Sequence, residues 1–175
     1  MKLTEHLSGD RRGHVEARLR SNLMAWLTTV SPAGKPESVP VWFLLREDDE
    51  TILIYSQPGK PKLRYLQQNP QVALGLDVTD LGRDIIRIDG EAREVPEVGP
   101  ADQEPNYRAK YAERIGALFG DAERFAAMYS VPLLITPRRL RALSLQGQRL
   151  LFLLLSQIIP YCWDLCRCER HKSQR

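Results

Sequence analysis

Short apolar stretches separated by turn-forming residues recur along most of this 175-residue chain, and they limit its possible folds more than any other feature. In residues 37–45, for example, Val39, Val41 and Phe43 share one face of a two-residue repeat. Turn residues such as those of 31–36, SPAGKP, separate the stretches. The predicted strands are 24–30, 37–45, 51–56, 71–78, 85–95, 130–137 and 138–145. Strands this short and closely spaced predict an antiparallel barrel.

Helical patterns interrupt the strands at three places. Residues 14–22 carry apolar side chains at helical spacing. A short helix is predicted to begin at Pro61, where the missing N–H is tolerated, and to end before Asn69 and Pro70. Residues 101–129 are predicted to be helical as well. The fold class is therefore α+β, with residues 1–145 forming one domain.

Individual residues within these segments carry further expectations. Pro40 within a strand indicates an edge, a bulge or a place where a ligand replaces ladder hydrogen bonds, and Gly90 indicates a bulge or bend. Trp26 and Phe43 are interpreted as core residues. Tyr107 and Tyr111 have the spacing of a core-facing helix, which we favour, although they could also cap a pocket or donate a proton.

Charge and composition exclude some classes of function. The formal net charge is only +3, which argues against nucleic acid or an anionic membrane as the main partner. No apolar run reaches the roughly 20 residues of a membrane span, and the charged N-terminal segment does not resemble a signal peptide. We therefore expect a cytoplasmic protein.

Residues 146–175 differ in composition and are expected to form an atypical extension of undetermined role. This extension holds all three cysteines, Cys162, Cys166 and Cys168, followed by His171. The spacing matches no familiar zinc motif, so we favour an interpretation without metal. His6, His14 and the Asp48–Glu50 turn are likewise interpreted as surface residues rather than ligands.

A cluster of cations suggests a binding site. Lys60, Lys62 and Arg64 lie within five residues, and no carboxylate occurs between Glu50 and Asp77. Free N–H groups and positive charge at a helix start favour an anion. The alternative is that these cations only solvate an exposed helix start. The segment matches neither a Walker loop nor a dinucleotide-binding motif.

The flanking residues favour a phosphorylated cofactor. Gly59 permits close approach of the backbone, while Ser56 and Gln57 add a hydroxyl and an amide. Aromatic residues precede the cations in both neighbouring strands, at Trp42 and Tyr55. A flat cofactor requires apolar walls at its ring and cations at its phosphate.

The order of these motifs resembles a known family. The segments GKPESVPVWFLL, ILIYSQPGKPKLRYLQQNPQVALGL, IRIDGEARE and FAAMYSVPLLITPRRLRAL are similar to those of the pyridoxamine 5'-phosphate oxidase-like split barrels. Within these, the chain most resembles the flavin/deazaflavin oxidoreductases that use coenzyme F420. The resemblance covers about residues 14–143 and implies a split β-barrel with a few short helices.

The resemblance also implies a site. Lys60 and Lys62 would bind the cofactor phosphate, whereas Arg64 lies one helical step further on and stays a mere possibility. Arg83, Arg87 and Arg93 are available for a longer anionic cofactor, although such charges are also normal at strand edges. The implied cofactor-binding residues are Val39, Pro40, Val41, Trp42, Tyr55, Ser56, Gln57, Lys60 and Lys62.

The implied activity is hydride transfer between reduced F420 and a small conjugated organic acceptor. FMN is the alternative cofactor, because both cofactors present a phosphate. A split barrel that binds flavin or haem without catalysis is a further alternative, disfavoured for haem because the histidines lie near the chain ends. The family resemblance also implies a homodimer with the cofactor between two barrels. The sequence identifies neither the substrate nor a catalytic acid–base pair.

Overall fold

The computed structural model describes residues 2–76 and 84–144, without the side chain of Ser144. The chain divides into two compact units, Met1–Ala142 and Leu143–Arg175, and the first contains the elements described below apart from the last two residues of the final strand. The predicted extension, with its cysteines and His171, lies outside the described residues, as does Arg83.

Within the described residues, seven antiparallel strands form one curled sheet, so the predicted α+β fold with an antiparallel barrel is confirmed. The sheet order is β2-β1-β5-β6-β7-β4-β3. The strands are β1 Met24–Val30, β2 Pro36–Trp42, β3 Leu44–Arg46, β4 Thr51–Ser56, β5 Gln71–Leu76, β6 Asp84–Glu94 and β7 Val131–Ser144. The helices are α1 Gly9–Ser21, α2 Pro61–Gln68, α3 Pro105–Phe119 and α4 Ala122–Met128, with short 3-10 segments at Lys2–Thr4 and Pro96–Val98.

The division of the chain into strands differs from the prediction at two places, apart from shifts of one residue at some strand ends. The predicted strand 37–45 divides at Phe43, whose N–H donates to the Tyr111 hydroxyl at 2.8 Å instead of to a neighbouring strand. The predicted strands 130–137 and 138–145 form the single strand β7. Neither difference is visible in local sequence, because each depends on a partner far along the chain.

Strand β4 separates two hydrophobic cores, because all six of its residues are buried. Ile52 and Ile54 belong to the core beneath α1 and α2. Leu53 and Tyr55 point the other way, into the core beneath α3 and α4. Because successive side chains of a strand point to opposite faces, β4 contributes to both cores. The core beneath α3 and α4 forms one wall of the site described below.

Strands β1 and β2 confirm one expectation and overturn another. β2 lies at one end of the sheet, so Pro40 occupies an edge strand, as one of its predicted alternatives required. Trp26 is 46% exposed, and its assignment to the core is wrong. Ala25 and Leu27 take the inner face of β1, so the intervening Trp26 points outward, opposite Pro40 of β2.

Gly90 is needed for a close approach rather than for a bulge between β5 and β6. The pairing of β5 with β6 runs regularly through Val72 and Gly90. A Cβ at Gly90 would lie 2.5 Å from the backbone oxygen of Thr136 in the adjacent strand β7. The close approach of β6 and β7 therefore leaves no room for a side chain at position 90.

Asp84, the first residue of β6, joins helix α1 to the sheet. Its carboxylate accepts hydrogen bonds from Arg11 Nη1 at 2.7 Å and Arg18 Nη1 at 2.6 Å. His14 Nε2 lies 2.8 Å from the same carboxylate. Arg18 and Asp84 are both buried, and the ion pair therefore fixes the helix on the barrel in a water-poor environment.

Candidate functional site

A pocket of about 480 Å³ opens between the edge strand β2, the end of β4, the start of α2 and helices α3 and α4. Every residue that the sequence predicted for a cofactor lines this pocket: Val39, Pro40, Val41, Trp42, Tyr55, Ser56, Gln57, Lys60 and Lys62. The structure thus brings residues 39–42 of β2 and residues 55–62, from the end of β4 to the start of α2, together around one pocket. From the sequence, these two segments were connected only through the family resemblance. Their part in cofactor binding stays a prediction.

Two cations line the pocket. Lys60 is exposed in the N-cap position of α2, and Lys62 is half-buried in its first turn. Burial, together with the positive charge of Lys60, lowers the pKa of Lys62. Gly59, with φ at +71°, makes the turn that directs the chain into the helix. None of the described residues lining the pocket is an acid, so an anion here would meet no opposing carboxylate.

The pocket also has an aromatic wall. The ring of Trp42 stacks on Tyr111, with centroids 4.7 Å apart and planes within 3°. On α4, Phe125 also stacks on Trp42 at 5.5 Å, and Tyr129 stacks on Phe125 at 4.8 Å. This arrangement presents an apolar surface suited to a flat ring.

The tyrosines of α3 are core residues, as we favoured. Tyr107 and Tyr111 are 0% and 1% exposed. Burial raises the pKa of each phenol far above its ordinary value. Tyr107 also lines the pocket, so that its ring serves both the core and the wall.

Neither Tyr55 nor Tyr107 is suited to release a proton near neutral pH, because burial raises the pKa of both phenols. Burial, assisted by the negative charge of Glu104, raises the pKa of Tyr55 to about 12. The Tyr55 hydroxyl donates to the Gly99 carbonyl at 3.3 Å. The described residues therefore favour binding and orientation of a ligand over acid–base chemistry.

The remaining candidate cations lie elsewhere. Arg64 is exposed on α2 and does not line the pocket. Arg87 Nε pairs with Asp89 at 2.8 Å, and Arg93 pairs with Glu97 at 3.1 Å. Lys60 and Lys62 are therefore the cations of the pocket among the described residues.

The polar turn before β4 has structural partners. The carboxylate of Asp49 accepts hydrogen bonds from the N–H and the hydroxyl of Thr51. Glu50 accepts from the N–H groups of Lys2 and Leu3. In the part of the chain that the structure describes, no group of acidic, histidine or cysteine side chains is arranged to hold a metal ion.

Sequence reasoning missed part of the wall. Met24, Leu118, Phe119, Phe125 and Tyr129 line the pocket without having been predicted to do so. The pair Phe125 and Tyr129 is spaced four residues apart, which indicated a helix face. That this face covers Trp42 depends on how α4 packs, which no local pattern specifies.

A model of a known protein family matches most of this chain. The model described as pyridoxamine 5'-phosphate oxidase matches residues 12–143. The chain belongs to this family. The match covers the whole sheet apart from the last residue of β7 and includes every residue of the pocket, so the family's fold is shown over the site itself. Comparison with curated proteins finds no match.

Solved structures share the fold at low identity. An F420 reductase is 21% identical, with 72% of this chain and 94% of that chain covered and a TM-score of 0.54. A FAD-binding protein from Mesorhizobium loti is 20% identical, with coverages of 77% and 90% and a TM-score of 0.50. The haem storage protein HutZ from Vibrio cholerae is 14% identical, with coverages of 75% and 93% and a TM-score of 0.54. At these identities the likeness shows the fold alone.

The family includes oxidoreductases, whereas HutZ carries out haem storage on the same fold. The shared fold therefore does not by itself separate an enzyme from a binding protein. None of the helices in the described residues has the length and apolar character needed to cross a bilayer.

Proposed function

We propose that this protein is a cytoplasmic oxidoreductase that transfers a hydride between reduced coenzyme F420 and a small conjugated organic acceptor. The observation that carries the proposal is the pocket itself, which joins a pair of lysines to a stacked aromatic wall. A phosphorylated, flat cofactor requires both features at once. The volume of about 480 Å³ lies within the usual range of ligand pockets.

The residues present fit such a cofactor. Lys60 and Lys62 would bind its phosphate, with Ser56 and Gln57 beside them as polar neighbours. The edge strand β2 would meet the ring edge along Val39–Trp42, since no further strand of the described residues follows it in the sheet order. When bound, the cofactor supplies the hydride, while the chain binds the ring, orients it and excludes water from one side.

FMN in the same pocket is the second candidate. Its phosphate would meet the same two lysines, so these residues do not separate the two cofactors. Haem storage is the third candidate because the HutZ fold is similar. Haem requires an axial ligand, and neither His6 nor His14 lines the pocket.

Fluorescence titration of the purified protein with F420 and, separately, with FMN tests the proposal. Tight F420 binding with weak FMN binding supports a deazaflavin enzyme, and the reverse preference assigns the pocket to a flavin. Oxidation of the bound, reduced cofactor by a quinone-like acceptor then separates an enzyme from a binding protein. Failure to bind either cofactor overturns the proposal.

The paired substitutions Lys60→Ala and Lys62→Ala test where the phosphate binds. Loss of two charge-assisted contacts should weaken binding by about 2–4 kcal/mol, which is about 30- to 900-fold in Kd. Arg64→Ala removes a cation from the same helix, but outside the pocket, and serves as the matched control. Equal affinities for the wild type and the double variant, with an intact fold, contradict the assignment of these lysines.

The proposal includes a homodimer in which a second copy covers the outer face of β1. Trp26 and Met24 are 46% and 37% exposed on this face, and Met24 also lines the pocket. A second copy covering them would border the cofactor site. Trp26→Glu should convert the dimer to a monomer in sedimentation velocity, whereas Met128→Glu, at an exposed apolar position on α4, should not. A monomeric wild-type protein would exclude this assembly.

A further inference from the structure

A second cleft of about 580 Å³ lies between the end of α1, strand β3 with its following turn, and the start of α3. It shares no lining residue with the aromatic pocket. Lys110 of α3 reaches into it and is half-buried. The proposed oxidoreductase activity gives this cleft no role.

The ammonium group of Lys110 has an unusual set of neighbours. Its Nζ donates a hydrogen bond to the Phe43 carbonyl at 2.9 Å and lies 4.2 Å from the centroid of the Phe43 ring. The described residues give it no carboxylate partner within ion-pair distance. A carbonyl accepts a hydrogen bond from a neutral amine as well as from an ammonium, so this contact holds the nitrogen in place in either state.

Two of the acids that line the cleft, Glu47 and Glu104, accept hydrogen bonds from groups other than Lys110. Glu47 accepts from Arg20 Nε at 2.7 Å. Glu104 is the N-cap of α3 and accepts from the N–H of Asn106. The charged residues facing the cleft besides Lys110 are Arg20, Arg46, Glu47, Asp48 and Glu104. With Lys110 counted, three cations face three acids in the cleft, so the formal charges of its lining cancel.

Burial has a chemical consequence for Lys110. With no carboxylate to offset the loss of solvation, burial lowers its pKa to about 8. At pH 7.5 the Lys110 amine is then neutral in roughly a quarter of the protein molecules, against about 0.1% for an ordinary lysine. A neutral, positioned amine beside an open cleft is a nucleophile at physiological pH.

We propose that Lys110 is a modification site whose ε-amine is acylated by small activated acyl donors that enter this cleft. The nitrogen lone pair attacks the acyl carbon and forms the C–N bond. The bond from the acyl carbon to its leaving group breaks, and the leaving group departs with the electron pair. The nitrogen loses one proton to water, and the product is a neutral amide. Acyl phosphates and thioesters share this chemistry.

Peptide mass spectrometry on the full chain, treated with limiting acetyl phosphate or acetyl-coenzyme A, tests the proposal. Lys35, exposed in the turn before β2, is the reference amine in the same molecule. At pH 7.5 Lys110 should react about ten-fold faster than Lys35, because burial keeps a substantial share of the Lys110 amine neutral. Its rate should rise through pH 8 and then level off. Reaction with only one of the two reagents identifies the class of donor.

The same measurement in urea provides the control for local sequence. Unfolding removes the cleft, so the advantage of Lys110 over Lys35 should disappear. A rate at Lys110 no greater than at Lys35 in the folded protein overturns the proposal. An advantage that survives unfolding also overturns it, because the reactivity would then come from the neighbouring sequence.

Discussion

The hydroxyl of Tyr111 occupies the break between β2 and β3 and serves as the hydrogen-bond partner of Phe43. It accepts from the Phe43 N–H at 2.8 Å, and its own proton is within reach of the carbonyl oxygens of Leu23 and Phe43, each 2.8 Å away. The ring of the same residue supports Trp42. Tyr111 of α3 thus provides hydrogen bonds to the backbone of Phe43 where the edge strand ends, and its ring packs behind Trp42 in the wall of the pocket.

Removing this hydroxyl should destabilise the fold. We expect Tyr111→Phe to lower the free energy of unfolding by about 1–3 kcal/mol, because the buried N–H of Phe43 loses its partner. Urea unfolding followed by circular dichroism gives the value. Tyr107→Phe is the matched control, since the Tyr107 hydroxyl is buried without a hydrogen-bond partner in the described part of the chain. It should leave stability unchanged or raise it, and equal losses in both variants would contradict this account.

The carboxylate of Asp84 should be the most costly charge to remove. Asp84→Asn removes the carboxylate that contacts both Arg11 and the buried Arg18, and we expect a loss of about 3–5 kcal/mol in the free energy of unfolding. Thermal and urea unfolding measure it. Asp89→Asn breaks more exposed pairs with Arg87 and Arg141 and should cost less than about 1 kcal/mol. Similar costs for the two variants would show that Asp84 does not anchor α1.

A methyl group at Gly90 should strain the sheet. Gly90→Ala directs a Cβ at the Thr136 carbonyl, and we expect roughly 1–3 kcal/mol of destabilisation from overpacking. Gly75→Ala in the neighbouring strand β5 meets nothing within 4 Å and should be neutral or stabilise by up to about 1 kcal/mol. The midpoints of urea unfolding measure both effects, and we expect the midpoint of Gly90→Ala to lie below that of Gly75→Ala. A Gly90→Ala protein as stable as Gly75→Ala would refute the close approach of β6 and β7.

The pKa of Lys110 should appear in the pH dependence of stability. Its folded pKa of about 8 lies below the unfolded value of about 10.4, so the unfolded state binds more protons between these values and stability rises with pH. Relative to Lys110→Met, the wild type should gain about 2 kcal/mol in free energy of unfolding between pH 7 and pH 9.5. Urea titrations at several pH values measure the difference, and parallel curves would exclude the lowered pKa.

The sequence by itself determined most of the strands and turns, as well as the composition of the cationic segment. A two-residue repeat and turn residues act locally, so β1, β4 and α2 lie where they were predicted. The free lysines at the start of α2 are likewise a local property, because Pro61 and Gly59 define that helix start. The predicted pocket residues followed from the order of motifs, which the fold of the family preserves.

Only the tertiary structure decided which faces are buried and which residues meet. Trp26 points outward because the alternation of β1 gives its inner face to Ala25 and Leu27, and that choice depends on the rest of the barrel. Phe43 ends a strand because Tyr111, 68 residues away, takes its N–H. The wall over Trp42 and the desolvated amine of Lys110 arise in the same way, since burial and distant contacts depend on packing that local sequence does not encode.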